Sequence, residues 1–104
     1  MASTKEFLNF VLEQLNGLDD ITYRPMMGEF LLYYKGRLAG GIYDDRLLIK
    51  NLPSAVSYMN NADLVLPYDG AKPMLLVDNL DDREFLIGLF NAIYDDLPLP
   101  KKRK

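Results

Sequence analysis

The chain has 104 residues, 49% of them apolar and 26% charged, the make-up of one globular domain rather than of a disordered segment. It has no cysteine and no histidine, which excludes disulfides, thiolate and imidazole metal sites, cysteine nucleophiles and histidine-based triads. Formal net charge is −3, but the last four residues are all basic, so residues 1–100 carry 8 Lys and Arg against 15 Asp and Glu, a net of −7.

Ser3-Thr4-Lys5-Glu6 reads as a capping box, with Ser3 capping a helix and Glu6 reaching back. Phe7, Leu8, Val11, Leu12 and Leu15 then follow helical spacing, and Gly17 is a stop, which predicts a first helix over about residues 4–16. Residues 18–28 read as a connector, since Asp19-Asp20 and Arg24-Pro25 break the periodicity. Glu29 to Lys35 reads as a strand with Leu31 and Tyr33 on one face and Phe30, Leu32 and Tyr34 on the other. Lys35-Gly36 turns it into a second strand, Arg37 to Tyr43, and Asp44-Asp45 turns that into a third, Arg46 to Lys50. Two-residue turns make these three strands an antiparallel meander.

Leu52-Pro53-Ser54 opens a short helix to about Met59, ended by Asn60-Asn61. Residues 62–73 read mostly as loop, with a short strand at Leu64-Val65-Leu66, and Met74 to Val77 as a buried strand. Asp81 is the expected cap of the last helix, with Glu84 three residues on and a core stripe of Phe85, Leu86, Leu89, Phe90, Ile93 and Leu97 before Pro98 and Pro100. Asp95 and Asp96 fall in its last turn, where the helix dipole disfavours them. The order predicts a two-layer α+β fold: a three-strand antiparallel meander plus one or two further strands, with helices at both chain ends. Residues 1–100 form a single domain and 101–104 a basic tail. Phe7, Leu8, Leu12, Phe85, Leu89, Phe90 and Ile93 are the expected contacts with the sheet.

The motifs carry little chemistry. Gly36 to Gly41 lacks both the P-loop ending and the dinucleotide spacing. Gly40-Gly41 lies inside a strand and reads as a bulge or a close approach to the sheet. The run Asp78 to Asp82 lacks the offsets of a calcium loop, and Asp44-Asp45 reads as turn chemistry rather than a metal pair. Seven tyrosines are candidate acid–base groups in the absence of histidine, if a cation such as Arg24 lowers the pKa of Tyr33 or Tyr43; packing is the favoured reading. Lys101 to Lys104 is a solvated end, a nucleic-acid contact or a remnant of expression. No run of apolar residues approaches the ~20 of a spanning helix, and no leader pattern opens the chain, so a cytoplasmic protein without membrane contact is expected.

The stretch Tyr23-Arg24-Pro25-Met26-Met27-Gly28-Glu29, with Gly36, Gly40-Gly41 and Leu47-Leu48-Ile49-Lys50 after it, resembles the N-terminal domain of the TfoX/Sxy family. Arg24, Met26, Gly28, Gly36 and Lys50 occupy the matching positions; Met27 stands for the usual phenylalanine and Glu29 for a second glycine. The resemblance implies a fold of helix, meander, helix, strand, helix, and a role in regulating competence at promoters alongside a catabolite-activator-type transcription factor. The family's C-terminal domain has no counterpart in these 104 residues.

Three functions follow as expectations. The first is a non-catalytic regulatory domain, with no cofactor and no metal, that binds a protein partner such as a transcription factor, or a second copy of itself. Its anchors would be Tyr33, Tyr34 and Tyr43, rimmed by Arg24 and Arg37. The second is a small-molecule-binding domain or small enzyme in which Arg24 holds an anion and Glu29 or Asp44 is the base. The third is DNA binding through the tail, expected to be weak or absent because the acidic body repels phosphates.

Overall fold

A computed structural model describes residues 3–60 and 62–98. Asn61, Pro100 and the basic tail lie outside the described residues. The elements run α1 (Lys5–Gln14), β1 (Ile21–Met26), β2 (Glu29–Tyr34), β3 (Arg37–Ile42), β4 (Leu47–Ile49), α2 (Pro53–Met59), β5 (Leu64–Val65), β6 (Met74–Val77) and α3 (Arg83–Ile93), and a 3₁₀ turn, η1, spans Tyr94–Asp96. The strands form one six-stranded antiparallel sheet in the order β1-β2-β3-β4-β6-β5. The α+β class and the terminal helices are as expected.

The meander has four strands rather than three, because the expected connector contains β1. Four of its six residues are exposed, so no alternation marks it. Arg24-Pro25 does break helix, but a proline preceded by an extended residue also suits an edge strand, where no partner needs its missing N–H. Three two-residue turns join the four strands. Both central residues have positive φ in each: Met27 (51°) and Gly28 (85°), Lys35 (52°) and Gly36 (81°), Asp44 (54°) and Asp45 (55°). That is the type I′ pattern, whose twist matches the flanking strands.

Register assigns the faces. Phe30, Leu32 and Tyr34 share one face with Ile42, Leu47, Ile49, Leu75 and Val77. This face packs on Leu8, Val11 and Leu15 of the α1 stripe, Ala55 of α2, and Leu86, Leu89, Phe90 and Ile93 of α3. All three helices therefore lie on one side. Of the expected sheet contacts, Leu8, Leu89, Phe90 and Ile93 are fully buried; Phe7, Leu12 and Phe85 are half-buried at the rim of the core.

Two caps differ from expectation by one residue. Thr4, not Ser3, caps α1: its hydroxyl accepts from the Phe7 amide at 3.1 Å. Ser3 is engaged elsewhere, donating to Glu29 Oε1 at 2.6 Å and accepting from the Asp45 amide at 3.1 Å. Asp82, not Asp81, caps α3 and accepts from the Phe85 amide at 3.1 Å. Two adjacent aspartates offer the same chemistry, and the sequence alone does not separate them. Among the described residues, no helix is long and apolar enough to cross a membrane.

Candidate functional site

Among the described residues, the opposite face of the sheet carries no helix. Arg24 pairs with Leu31 and Tyr33 with Leu38 in register, and Gly41 with Leu48, which puts these residues together on that face. Leu31, Tyr33 and Leu38 are half-buried there. Tyr43 follows Ile42, which faces the core, so alternation brings it to the same side. Its ring lies over Gly41, where an added Cβ would come within 2.7 Å of Tyr43 Cε1. The glycine inside β3 is thus a seat for an aromatic ring. The register shift at Leu32/Tyr33 is the bulge expected beside Gly40-Gly41.

Arg24 sits on the outer strand of this face. Its guanidinium carbon is 5.9 Å from the centre of the Tyr33 ring, close enough for a cation–π contact. Arg24 is exposed, and so is the hairpin tip, where Met27 is 96% accessible. A single open apolar side chain is ordinary on a surface, and Met27 counts here only for its place at the tip of the hairpin that carries Arg24. The turn alone does not require it, since either Asn or Gly would adopt this φ with less strain.

Tyr34 and Arg37 do not belong to this surface, contrary to expectation. Tyr34 is 3% exposed on the helical side. Its hydroxyl donates to Asn91 Oδ1 at 2.7 Å, and its ring packs edge-on against Phe90 and Tyr94. Arg37 Nη1 donates to the Tyr94 carbonyl at 3.1 Å, and its guanidinium lies 4.3 Å over the Tyr94 ring. Both hold the end of α3. Alternation had already set Tyr34 opposite Tyr33, and that pattern should have removed it from the exposed set.

Tyr43 is on the predicted side but is 5% exposed. Burial pushes its phenol above the ordinary value of 10.0, and Tyr68, Glu29 and Tyr33 add to the shift. A tyrosine held protonated in this way is not a base near neutral pH. Of the two tyrosines that Arg24 could serve, it lies over Tyr33. Glu29 and Asp44 join each other rather than Arg24: the Asp44 amide donates to Glu29 Oε1 at 3.1 Å. Asp45 Oδ1 accepts from the Thr4 amide at 2.8 Å, tying α1 to the β3–β4 turn. The Glu29 and Asp45 carboxylates hold the N-terminal segment in place, and Asp44 takes part only through its amide. Among the described residues, no group of three carboxylates converges where a metal could be held.

The motif residues of the resemblance also separate. Arg24, Met26 and Gly28 build the β1–β2 hairpin, Gly36 the next turn, and Lys50 follows β4 at the far end of the helix-free face. Met27 enters the sequence reading only as a departure from the family motif, and no motif marks Tyr68; Tyr68, in the loop between β5 and β6, is 56% exposed and packs its ring 6.2 Å from that of Tyr43.

A curated relative aligns over the full chain. It is an uncharacterized 12.7 kDa protein in the trpE 5′ region of Spirochaeta aurantia, 28% identical over 105 residues, covering 100% of this chain and 91% of its own. No protein-family profile and no solved structure matches the sequence. The candidate surface therefore rests on geometry: one cation, one ring and one open apolar tip on a sheet face without helices.

Proposed function

We propose that this chain is a non-catalytic, regulatory protein-interaction domain whose partner docks on the helix-free face at the β1–β2 hairpin. The observation that carries the reading is the pairing of Arg24 with the Tyr33 ring at 5.9 Å on that face. Tyr and Arg are the usual anchors of protein interfaces, and a hairpin held by the meander presents them with little entropy left to lose. Met27 at the tip supplies the apolar contact.

The resemblance to the TfoX/Sxy N-terminal domain supports the same surface, because Tyr23 to Glu29, which carry it, are this hairpin. On that reading the partner is a transcription factor met in the cytoplasm. An acidic body suits such a role, since DNA contact is left to the partner.

The test is capture from a lysate of the source organism with the immobilised domain, wild type beside Arg24→Ala and Met27→Ser. A specific partner retained by the wild type should be weakened by about 2 kcal/mol or more in each variant, with melting little changed. Equal retention by all three proteins refutes the assignment of the surface.

A further inference from the structure

The helix-free face also holds a cleft of about 510 Å³. Its floor is Tyr43 and Lys50, and its far wall is the loop between β5 and β6, which brings Tyr68 and Lys72 over it. Pro67 and Pro73 stiffen that wall at either end. The volume falls within the range of small-ligand sites.

Its charge is opposite to that of the chain around it. Residues 1–100 carry 15 carboxylates against 8 cations. Among the described residues, the cleft is lined by two lysines and by no Asp or Glu. Low-dielectric walls focus the field of such a pair into the space between them. The two tyrosine rings, 6.2 Å apart and inclined by 50°, add an angled aromatic corner, one ring buried and one open to solvent. The buried phenol keeps its proton and remains a hydrogen-bond donor.

We infer that this cleft is a binding site for a small ligand that joins a flat ring to an anionic head, a phosphate or a carboxylate. The ring packs on Tyr43 and Tyr68, and the head lies between Lys50 and Lys72. The inference goes beyond the proposed protein docking and uses none of its residues: Arg24, Tyr33 and Met27 belong to the β1–β2 hairpin, and none of them lines the cleft.

The experiment is an amide-shift NMR titration of the whole chain with phenyl phosphate, benzoate, phenol and inorganic phosphate, each to about 10 mM, a range that reveals millimolar affinities. Phenyl phosphate or benzoate should give saturable shifts at Asn51, Tyr68, Lys72 and Met74. Phenol and inorganic phosphate should bind at least about tenfold more weakly, because each offers only half of the recognition. Lys50→Gln with Lys72→Gln should weaken the ring-bearing anion by about tenfold or more while leaving the melting curve in place. Phenyl phosphate against benzoate tells which head the site prefers. The inference is overturned if neither ring-bearing anion gives saturable shifts at these residues, if phenol binds as well as they do, or if the lysine variant binds unchanged. Arg24→Ala, which tests the protein surface, should leave this titration as it is, so each reading fails separately.

Discussion

Arg37 closes the C-terminal end of α3 through Tyr94. Its guanidinium donates to the Tyr94 carbonyl at 3.1 Å and covers the Tyr94 ring at 4.3 Å. The last turn of α3 has no basic residue of its own. A cation from β3 thus supplies what the helix lacks, a donor for a terminal carbonyl and a positive charge at the negative end of the dipole.

Arg37→Ala should therefore destabilise the fold by about 1–2 kcal/mol. A domain of this size loses about 4–8 °C per kcal/mol, so the shift is measurable by thermal melting. Arg24→Ala removes only an exposed cation–π contact worth about 0.5–1 kcal/mol and should melt closer to wild type. If Arg24→Ala is the more damaging of the two, the division between staple and surface is wrong.

Asp96 does the corresponding work at the start of α2. That helix has no side-chain cap of its own, since Leu52 occupies the N-cap. Asp96 Oδ2 accepts from the Ser54 amide at 3.1 Å. A carboxylate expected to suffer at the end of one helix thus lies at the favourable end of another. Asp96→Ala should cost about 1 kcal/mol, as loss of a cap does, and Asp96→Asn less because an acceptor remains. Urea unfolding of the two variants checks the order; equal stability of Asp96→Ala and wild type would remove the cap.

The interior was legible because burial imposes a period. Leu8, Val11, Leu89, Phe90 and Ile93 announce helices, and Phe30 to Tyr34 announces a strand, since each must face one core. Edge strand β1 has almost nothing to bury on its outer side, so Thr22 to Pro25 left no such mark. The tyrosines were hard for another reason. Tyr33 and Tyr34 are adjacent and chemically alike, and only the direction of the core tells the open ring from the buried one. Tyr43 lay beyond local pattern altogether. Its burial depends on Gly41 beneath it and on Tyr68, from a loop 25 residues away in sequence.

Gly40 marks a close approach in the sheet. A Cβ there would strike the Leu48 carbonyl oxygen and lie 3.0 Å from Ile49 Cα, both of them backbone of the next strand. Neither can turn away as a side chain would. Gly40→Ala should cost about 3 kcal/mol or more, at the upper end of overpacking changes. Gly41→Ala presses on the Tyr43 ring as well as on the Phe30 carbonyl, each at 2.7 Å. One of these contacts is a ring that can shift, and neither is as close as the Leu48 carbonyl is to a Cβ at Gly40, so the Gly41 change should be milder. Equilibrium unfolding ranks the two, and a Gly40→Ala protein as stable as wild type would contradict the close pairing of β3 and β4.

Tyr43 sets the last expectation, which concerns alkaline pH. Burial first, and then Tyr68, Glu29 and Tyr33, raise its folded pKa above the ordinary 10.0, while in the unfolded chain the phenol titrates at the ordinary value. Below about pH 10 both states hold the proton, and the contribution to stability is fully present. As pH rises beyond that, the unfolded state releases its proton first, so stability falls until the folded pKa is passed. Tyr43→Phe has no proton to lose. Its stability should decline less between about pH 9 and about pH 11 than that of the wild type, whatever the lysines and other tyrosines contribute to both. A phenolate absorbance titration should show the matching signature, a late-titrating component in the wild type that the variant lacks. Parallel loss of stability in the two proteins, with no missing component in the titration, would mean that Tyr43 is as open to water as its neighbour Tyr68.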